Sequence, residues 1–284
     1  MAGSEDNDEA QRQPQRDPVG NLRPFLHTAI LAAREAARIQ LGERGADLDL
    51  RTKSSDIDPV TRVDLLCEAR IREVILDAHP DHVVLGEEQG QRGRGGYRWV
   101  VDPLDGTVNY AHGFPFYCVS IALEIDGELA VGVVYDGEHD ELFTAVRGEG
   151  AHLSGRPIAV SHETVMKRAL LGTGFAYTGP DIRRNLEVFA RTLPEVQSIR
   201  RPGAAALDVC YVACGRLDGF WELSLQPWDV AAAVLIVREA GGTVTGVGGA
   251  PYRLHDPVLV ASNGHLHTRL LDVLQLETVL AGTG

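Results

Sequence analysis

Tyr97-Arg98-Trp99-Val100-Val101-Asp102-Pro103-Leu104-Asp105-Gly106-Thr107 is an apolar run that leads straight into two carboxylates. The run 97–101 reads as a buried strand, and the two acids leave its end three residues apart. Pro103 fixes φ between them and removes a backbone donor. Gly106 lets the chain turn sharply after the second acid, and Thr107 adds a hydroxyl. Such a rigid corner can hold two hard cations side by side with a water next to them. The plainer alternative is an acidic turn, because Asp, Pro and Gly are ordinary turn formers.

The pattern on either side sets the fold class. Residues 22–41 carry apolar positions at helical spacing, with Gly42 as a stop. A second helix opens at Thr61, a good N-cap, and ends before Pro80. Short strands follow at 82–85 and 97–101, separated by a Gly- and Arg-rich loop at 89–96. Strands at 116–125 and 128–135 flank Asp126-Gly127, a strong hairpin signal, and 141–146 continues the meander. This half reads as two helices on an antiparallel sheet. From 169 onward, strands (169–172, 196–199, 219–223) alternate with helices (182–192, 203–214, 228–240). Strands at 243–247 and 258–261 and a helix at 265–280 complete an α/β half. The expected organisation is a polar, disordered acidic tail (1–20), an N-terminal half (21–160) carrying most metal ligands, and a C-terminal half (161–284) completing the site.

Composition narrows the function. With 44% hydrophobic and 24% charged residues the chain is an ordinary globular sequence. No apolar run approaches the roughly 20 residues that span a bilayer, and the polar N-terminus has no secretory core. A cytoplasmic protein without membrane contact is therefore expected. The formal net charge of −13 argues against direct nucleic-acid binding. Cys67, Cys118, Cys210 and Cys214 sit in apolar segments and read as small buried hydrophobes rather than as a zinc site.

Other acids stand where the opening pair could meet them. Glu87 follows a strand in Gly86-Glu87-Glu88, Asp229 opens an almost wholly apolar helix in Pro227-Trp228-Asp229-Val230, and Asp64 lies in a first helical turn. Glu222 ends the strand Gly219-Phe220-Trp221. Each alone is compatible with a solvated loop, a helix-dipole acid or a strand-end contact. Together they lie at element ends, where α/β folds gather ligands. Several carboxylates cannot stay ionised in one pocket without cations. Ligation by oxygen alone points to Mg²⁺, with Mn²⁺ as a substitute.

These residues carry a resemblance. Trp99-Val100-Val101-Asp102-Pro103-Leu104-Asp105-Gly106-Thr107-Val108-Asn109-Tyr110-Ala111-His112-Gly113 resembles the first signature of the inositol monophosphatase family. That family belongs to the lithium-sensitive, magnesium-dependent phosphatases that include fructose-1,6-bisphosphatase. Trp228-Asp229-Val230-Ala231-Ala232, ending in Glu239-Ala240-Gly241-Gly242, is similar to its second signature, and the likeness covers nearly all of 22–280. The resemblance implies a layered α/β/α/β/α sandwich of α+β or α/β class. It implies hydrolysis of a phosphate monoester, myo-inositol 1-phosphate first, with two or three Mg²⁺ per site and inhibition by lithium.

The implied roles fall residue by residue. Glu87, Asp102 and the Leu104 carbonyl would bind one ion; Asp102, Asp105 and Asp229 would bind a second, with Asp102 bridging. Glu87 would also reach a weaker third ion. Thr107 and Glu87 would orient the attacking water, and Asp64 would support that region through water or Lys53. The amides around Gly106 and Thr107, beside Asp105, would grip the phosphate. Gly203, Ala204, Ala205 and Glu222 would contact the alcohol. Two departures stand out: Ala204 replaces a common hydroxyl residue, and the spacing from Lys53 to Asp64 is one residue longer than in animal members of the family. Histidinol phosphate, fructose 1,6-bisphosphate and 3′-phosphoadenosine phosphates are alternative substrates. The resemblance also implies a homodimer and allows a regulatory role on RNA-related machinery, as in some bacterial members.

Overall fold

The structure, a computed structural model, describes residues 20–45, 51–52, 59–176 and 179–281. Lys53 and residues 1–19 of the expected acidic tail lie outside the described residues. The chain opens with α1 (Arg23–Gly42), whose buried Ala29, Ala32, Ala33, Ala36, Ala37 and Gln40 recur at steps of three and four. Two short strands, β1 (Arg51–Thr52) and β2 (Pro59–Val60), pair antiparallel before α2 (Arg62–Ala78). Thr61 caps α2: its hydroxyl accepts from the N–H groups of Val63 and Asp64, while the Asp64 carboxylate accepts the Thr61 N–H at 2.8 Å. That reciprocal pair fixes where the helix begins.

The first sheet contains β3 (Val83–Gly86), β4 (Gly90–Arg92), β5 (Tyr97–Asp105), β6 (Cys118–Ile125), β7 (Glu128–Asp136), β8 (Glu141–Val146), β9 (Ala151–Leu153) and β10 (Arg156–Pro157). Its spatial order is β10-β9-β8-β7-β6-β5-β3-β4, antiparallel except where β3 runs alongside β5. A short helix, α3 (Thr107–Ala111), separates β5 from β6. At the β6–β7 hairpin Asp126 and Gly127 have φ of 54° and 88°, as a two-residue turn with both central residues left-handed requires.

The second sheet and the helices between its strands follow in the order β11 (Leu170–Thr173), α4 (Gly179–Thr192), β12 (Ser198–Arg200), α5 (Ala205–Ala213), β13 (Gly219–Leu223), α6 (Pro227–Glu239), β14 (Thr243–Thr245) and β15 (Val258–Ser262). α7 (His267–Leu274) and α8 (Leu276–Ala281) follow. The order is β12-β11-β13-β15-β14; the first three run parallel, and β15 opposes both its neighbours.

Helices α1 and α2 cover the outer face of the first sheet, α5 and α6 lie between the sheets, and α4, α7 and α8 cover the far face of the second. This is the five-layer sandwich expected above. Helix α6 is buried continuously from Val230 to Val237, which is why its sequence is apolar all round. The structure departs from the expected elements at several short segments. The stretch read as a loop at 89–96 contains β4, a three-residue edge strand too short to show alternation. The β9–β10 hairpin is likewise too brief to read. The helix expected over 265–280 breaks at Gln275, which takes the left-handed conformation at φ 46°. Finally, β5 does not stop at Val101 but runs on to Asp105.

A ring cluster ties α1 and α2 to β5. Trp99 Nε1 donates to His82 Nδ1 at 3.0 Å, Thr28 Oγ1 and His79 Nε2 are 3.0 Å apart, and the two imidazoles stack at 4.7 Å. Burial lowers the His79 pKa; burial and then the His79 charge lower that of His82, against Asp81. Folded values below the ordinary one of about 6.5 mean that stability is full above that pH and is lost as pH falls through the folded values. We expect the melting temperature to drop from about pH 7 to about pH 5. The drop should be shallower in His82→Gln, whose amide oxygen still accepts from Trp99. Equal slopes in the two proteins would exclude this source of acid sensitivity.

Candidate active site

The strand β5 positions the two carboxylates by a defect in its pairing. Asp102 pairs with Ser120 of β6 and Asp105 with Cys118. Three steps on β5 therefore oppose two on β6, which makes a bulge at Pro103-Leu104. In a regular strand, residues three apart point to opposite faces. The extra residue restores the phase, so Asp102 and Asp105 both reach one cleft. The bulge is held from behind by buried Gln40, whose Nε2 donates to the Pro103 carbonyl at 2.9 Å. Gly106 makes the turn out of β5 at φ 93°. A Cβ there would meet the Phe116 carbonyl at 3.0 Å and the Ala204 Cβ at 3.3 Å.

The same cleft gathers Glu87, Leu104, Gly106 and Thr107 from the first sheet and its loops. Gly203, Ala204, Ala205, Glu222 and Asp229 close it from α5, β13 and α6. Asp64 is different. It is fully buried behind the cleft, and its Oδ1 accepts from Thr107 Oγ1 at 3.0 Å. The same hydroxyl lies 3.0 Å from the Leu104 carbonyl. Asp64 thus contacts Thr107 directly.

Asp105 spans the molecule. Its Oδ1 accepts from the Ala205 N–H at 3.2 Å and its Oδ2 from the Ala206 N–H at 2.7 Å. Ala204, the residue before α5, has no side chain able to cap that helix; the carboxylate from β5 caps it instead, where the helix dipole favours an anion. Asp102 Oδ1 accepts the Leu104 N–H at 2.9 Å, and Asp229 Oδ2 accepts the Gln226 N–H at 2.7 Å. Each carboxylate oxygen has two lone pairs; Asp105 Oδ2 uses both, on the Ala206 N–H and the Cys118 thiol, and acceptor capacity remains on the other oxygens.

Burial followed by mutual repulsion sets the electrostatics. Burial drives Asp102 well above the usual carboxylate range, and the charges of Glu87, Asp105 and Asp229 add to it. Asp105 is pushed up to about 7 by burial, against its bonds to Ala206 and Cys118. Asp229 is raised by burial, opposed by the Gln226 N–H. Glu222 is pushed up to about 8 by burial and then by Asp105, with Arg201 opposing. Acids that raise one another in this way fit a cluster whose charge is balanced by bound cations. The donor set is oxygen only, which fits Mg²⁺. As the side chains stand, no three His, Cys, Asp or Glu among the described residues enclose a single ion; the match is one of donor chemistry.

Sequence reasoning missed Gly174, Phe175, Arg201, Asp208 and Leu225, which also line the cleft. A signal existed for Asp208, the one acid in the otherwise apolar helix α5. It is buried and raised by burial and by Glu222. No local signal marks the others. The cysteines behave as read: Cys67, Cys118 and Cys210 are buried, Cys214 is half-buried and all are unbridged, with burial pushing the thiols up.

A five-layer sandwich with an acidic, oxygen-lined cleft at the end of a bulged strand is the arrangement that the resemblance implied. The model of the "Inositol monophosphatase family" matches residues 21–278. "Inositol-1-monophosphatase" of Synechocystis sp. is 41% identical over 257 residues, covering 89% of this chain and 90% of that protein. "Nus factor SuhB" of Pseudomonas aeruginosa is 41% identical over 263 residues, covering 89% and 97%. The solved "Inositol monophosphatase from Anabaena (Nostoc) sp. PCC 7120" superposes with a TM-score of 0.82 at 42% identity, covering 90% of this chain and 96% of that one. The chain belongs to the inositol monophosphatase family. No helix among the described residues is long and apolar enough to cross a membrane.

Proposed function

We propose that the protein hydrolyses a phosphate monoester with Mg²⁺, and that the alcohol released is myo-inositol. The convergence of Glu87, Asp102, Asp105 and Asp229 on one cleft, beside Thr107 and opposite Glu222, carries this reading. Two or three bound Mg²⁺ would supply charge compensation and lower the pKa of the attacking water. Glu87, Asp102 and the Leu104 carbonyl would hold one ion, and Asp102, Asp105 and Asp229 would hold the next. Thr107, its hydroxyl fixed by Asp64 and Leu104, orients the water together with Glu87. Gly106 and Thr107 receive the phosphate. Glu222, with Gly203, Ala204 and Ala205 beside it, faces the alcohol; a carboxyl there suits a polyol or an amino alcohol. The protein's work is positioning and charge stabilisation, with no covalent intermediate.

A panel of inositol 1-phosphate, histidinol phosphate, fructose 1,6-bisphosphate and 3′-phosphoadenosine 5′-phosphate tests the reading. We expect the highest kcat/KM for inositol 1-phosphate, no turnover without Mg²⁺, and inhibition by lithium. Preference for another ester would move the substrate assignment and leave the chemistry in place. Hydrolysis of none would favour the second reading, a regulatory protein, which rests on the Nus-factor name of the Pseudomonas relative. With a net charge of −13, such a role would run through a protein partner rather than RNA.

A further inference from the structure

We propose that Glu68 and Arg72 of α2 are positioning residues that clamp the turn carrying Glu87 and so set the affinity of the cleft for its divalent cation. Glu87 sits in the tight turn between β3 and β4, whose ends pair Gly86 with Gly90. A turn at the edge of a sheet has few contacts of its own, yet this one is gripped from below at four points. Glu68, fully buried, takes the Glu88 N–H on Oε2 at 2.7 Å and the Gln89 N–H on Oε1 at 3.1 Å. Arg72 Nε donates to Glu68 Oε1 at 2.9 Å. Its Nη1 donates to the Val84 carbonyl at 3.1 Å and its Nη2 to the Gly90 carbonyl.

One buried ion pair therefore holds two consecutive N–H groups just after Glu87 and a carbonyl on each flank. The approach is so close that a Cβ on residue 86 would lie 2.4 Å from the Glu68 carboxyl. That explains why glycine precedes Glu87. The same helix, one turn earlier, carries Asp64, which holds the Thr107 hydroxyl. Spaced four residues apart, Asp64 and Glu68 lie on one helix face, so α2 fixes the separation of Glu87 and Thr107 across the cleft.

The inference rests on the reading of Glu87 as a metal ligand. Groups that orient ligands from behind typically govern metal affinity by 10- to 100-fold. The test measures Mn²⁺ binding directly, by electron paramagnetic resonance of the free ion, on the whole chain. Variants are Glu68→Gln, the milder Arg72→Lys in case the first does not fold, Glu87→Gln, and Glu124→Gln. The last breaks the half-buried Arg98–Glu124 pair at the other end of β5 and controls for loss of an ion pair on that strand.

We expect the Kd for Mn²⁺ to rise about tenfold or more in Glu68→Gln and in Arg72→Lys, and to stay at the wild-type value in Glu124→Gln. Wild-type binding in both α2 variants, or an equal shift in all three, would overturn the clamp. Weakened binding in Glu87→Gln with normal binding in Glu68→Gln sinks the clamp alone. Unchanged binding in Glu87→Gln removes the metal reading beneath it.

Discussion

Replacing Asp102 by Asn is expected to lower kcat by about three orders of magnitude with the fold intact. Asp102 is 3% exposed and sits at the bulge of β5. Its Oδ1 accepts the Leu104 N–H at 2.9 Å, and an asparagine oxygen can keep that bond, so the corner retains its shape. What is lost is the charge shared between the two proposed ion positions. A second readout separates this from damage to the fold. Without Mg²⁺, Asp102 is held far above the usual carboxylate range by burial and then by Glu87, Asp105 and Asp229. A neutral amide carries no such burial and repulsion cost, so the metal-free variant should melt at or above the wild-type temperature. Added Mg²⁺ should then stabilise the wild type and fail to stabilise the variant, because binding to the folded state alone raises stability. A variant with near-normal turnover would remove Asp102 from the bridging role.

The largest stability effect is expected at Gly132→Ala, far from any reacting atom. Gly132 lies in the middle of β7, where the first sheet meets the buried helix α6. A Cβ at 132 would stand 2.6 Å from the Ala232 carbonyl oxygen and 3.2 Å from its Cα. The obstacle is backbone in a helix packed on both sides, so nothing nearby can swing away. Overpacking of this kind costs about 3 kcal/mol or somewhat more. For a chain of this size that lowers the melting temperature by about 5 °C. Because α6 also carries Asp229, a shift of the helix should weaken Mg²⁺ activation in the same variant. A melting temperature within a degree or so of wild type would show that the two layers can separate at low cost.

Both predictions concern features of different legibility. The apolar character of α6 was plain in the sequence, since a helix without a polar face belongs between two layers. The Asp126-Gly127 hairpin, the Thr61 cap and the alternation of strands and helices after residue 169 were equally local signals, and the structure has all of them. The acids Glu87, Asp102, Asp105 and Asp229 could be selected because each stands at the end of an apolar element. Asp208 was passed over, although an acid alone in an apolar helix is as strong a mark. The hairpins of two or three residues were unreadable because they are shorter than one repeat of any pattern.

The sequence alone determined the order of the longer elements, the acids that reach the cleft and the family, because these depend on periodicity, residue chemistry and motif spacing. Only the tertiary structure decided how those residues meet. It runs β5 on through the motif and bulges it at Pro103-Leu104, so that Asp102 and Asp105 share a face. It sends Asp105 across the molecule to cap α5 in place of the missing side-chain cap at Ala204. It places Asp64 on Thr107 and Glu68 under the turn of Glu87. Each of these is a contact between distant segments, set by strand register and by how closely one backbone approaches another. A local pattern carries the period of its own element but not its phase against a neighbour, so those contacts could be known only from the folded chain.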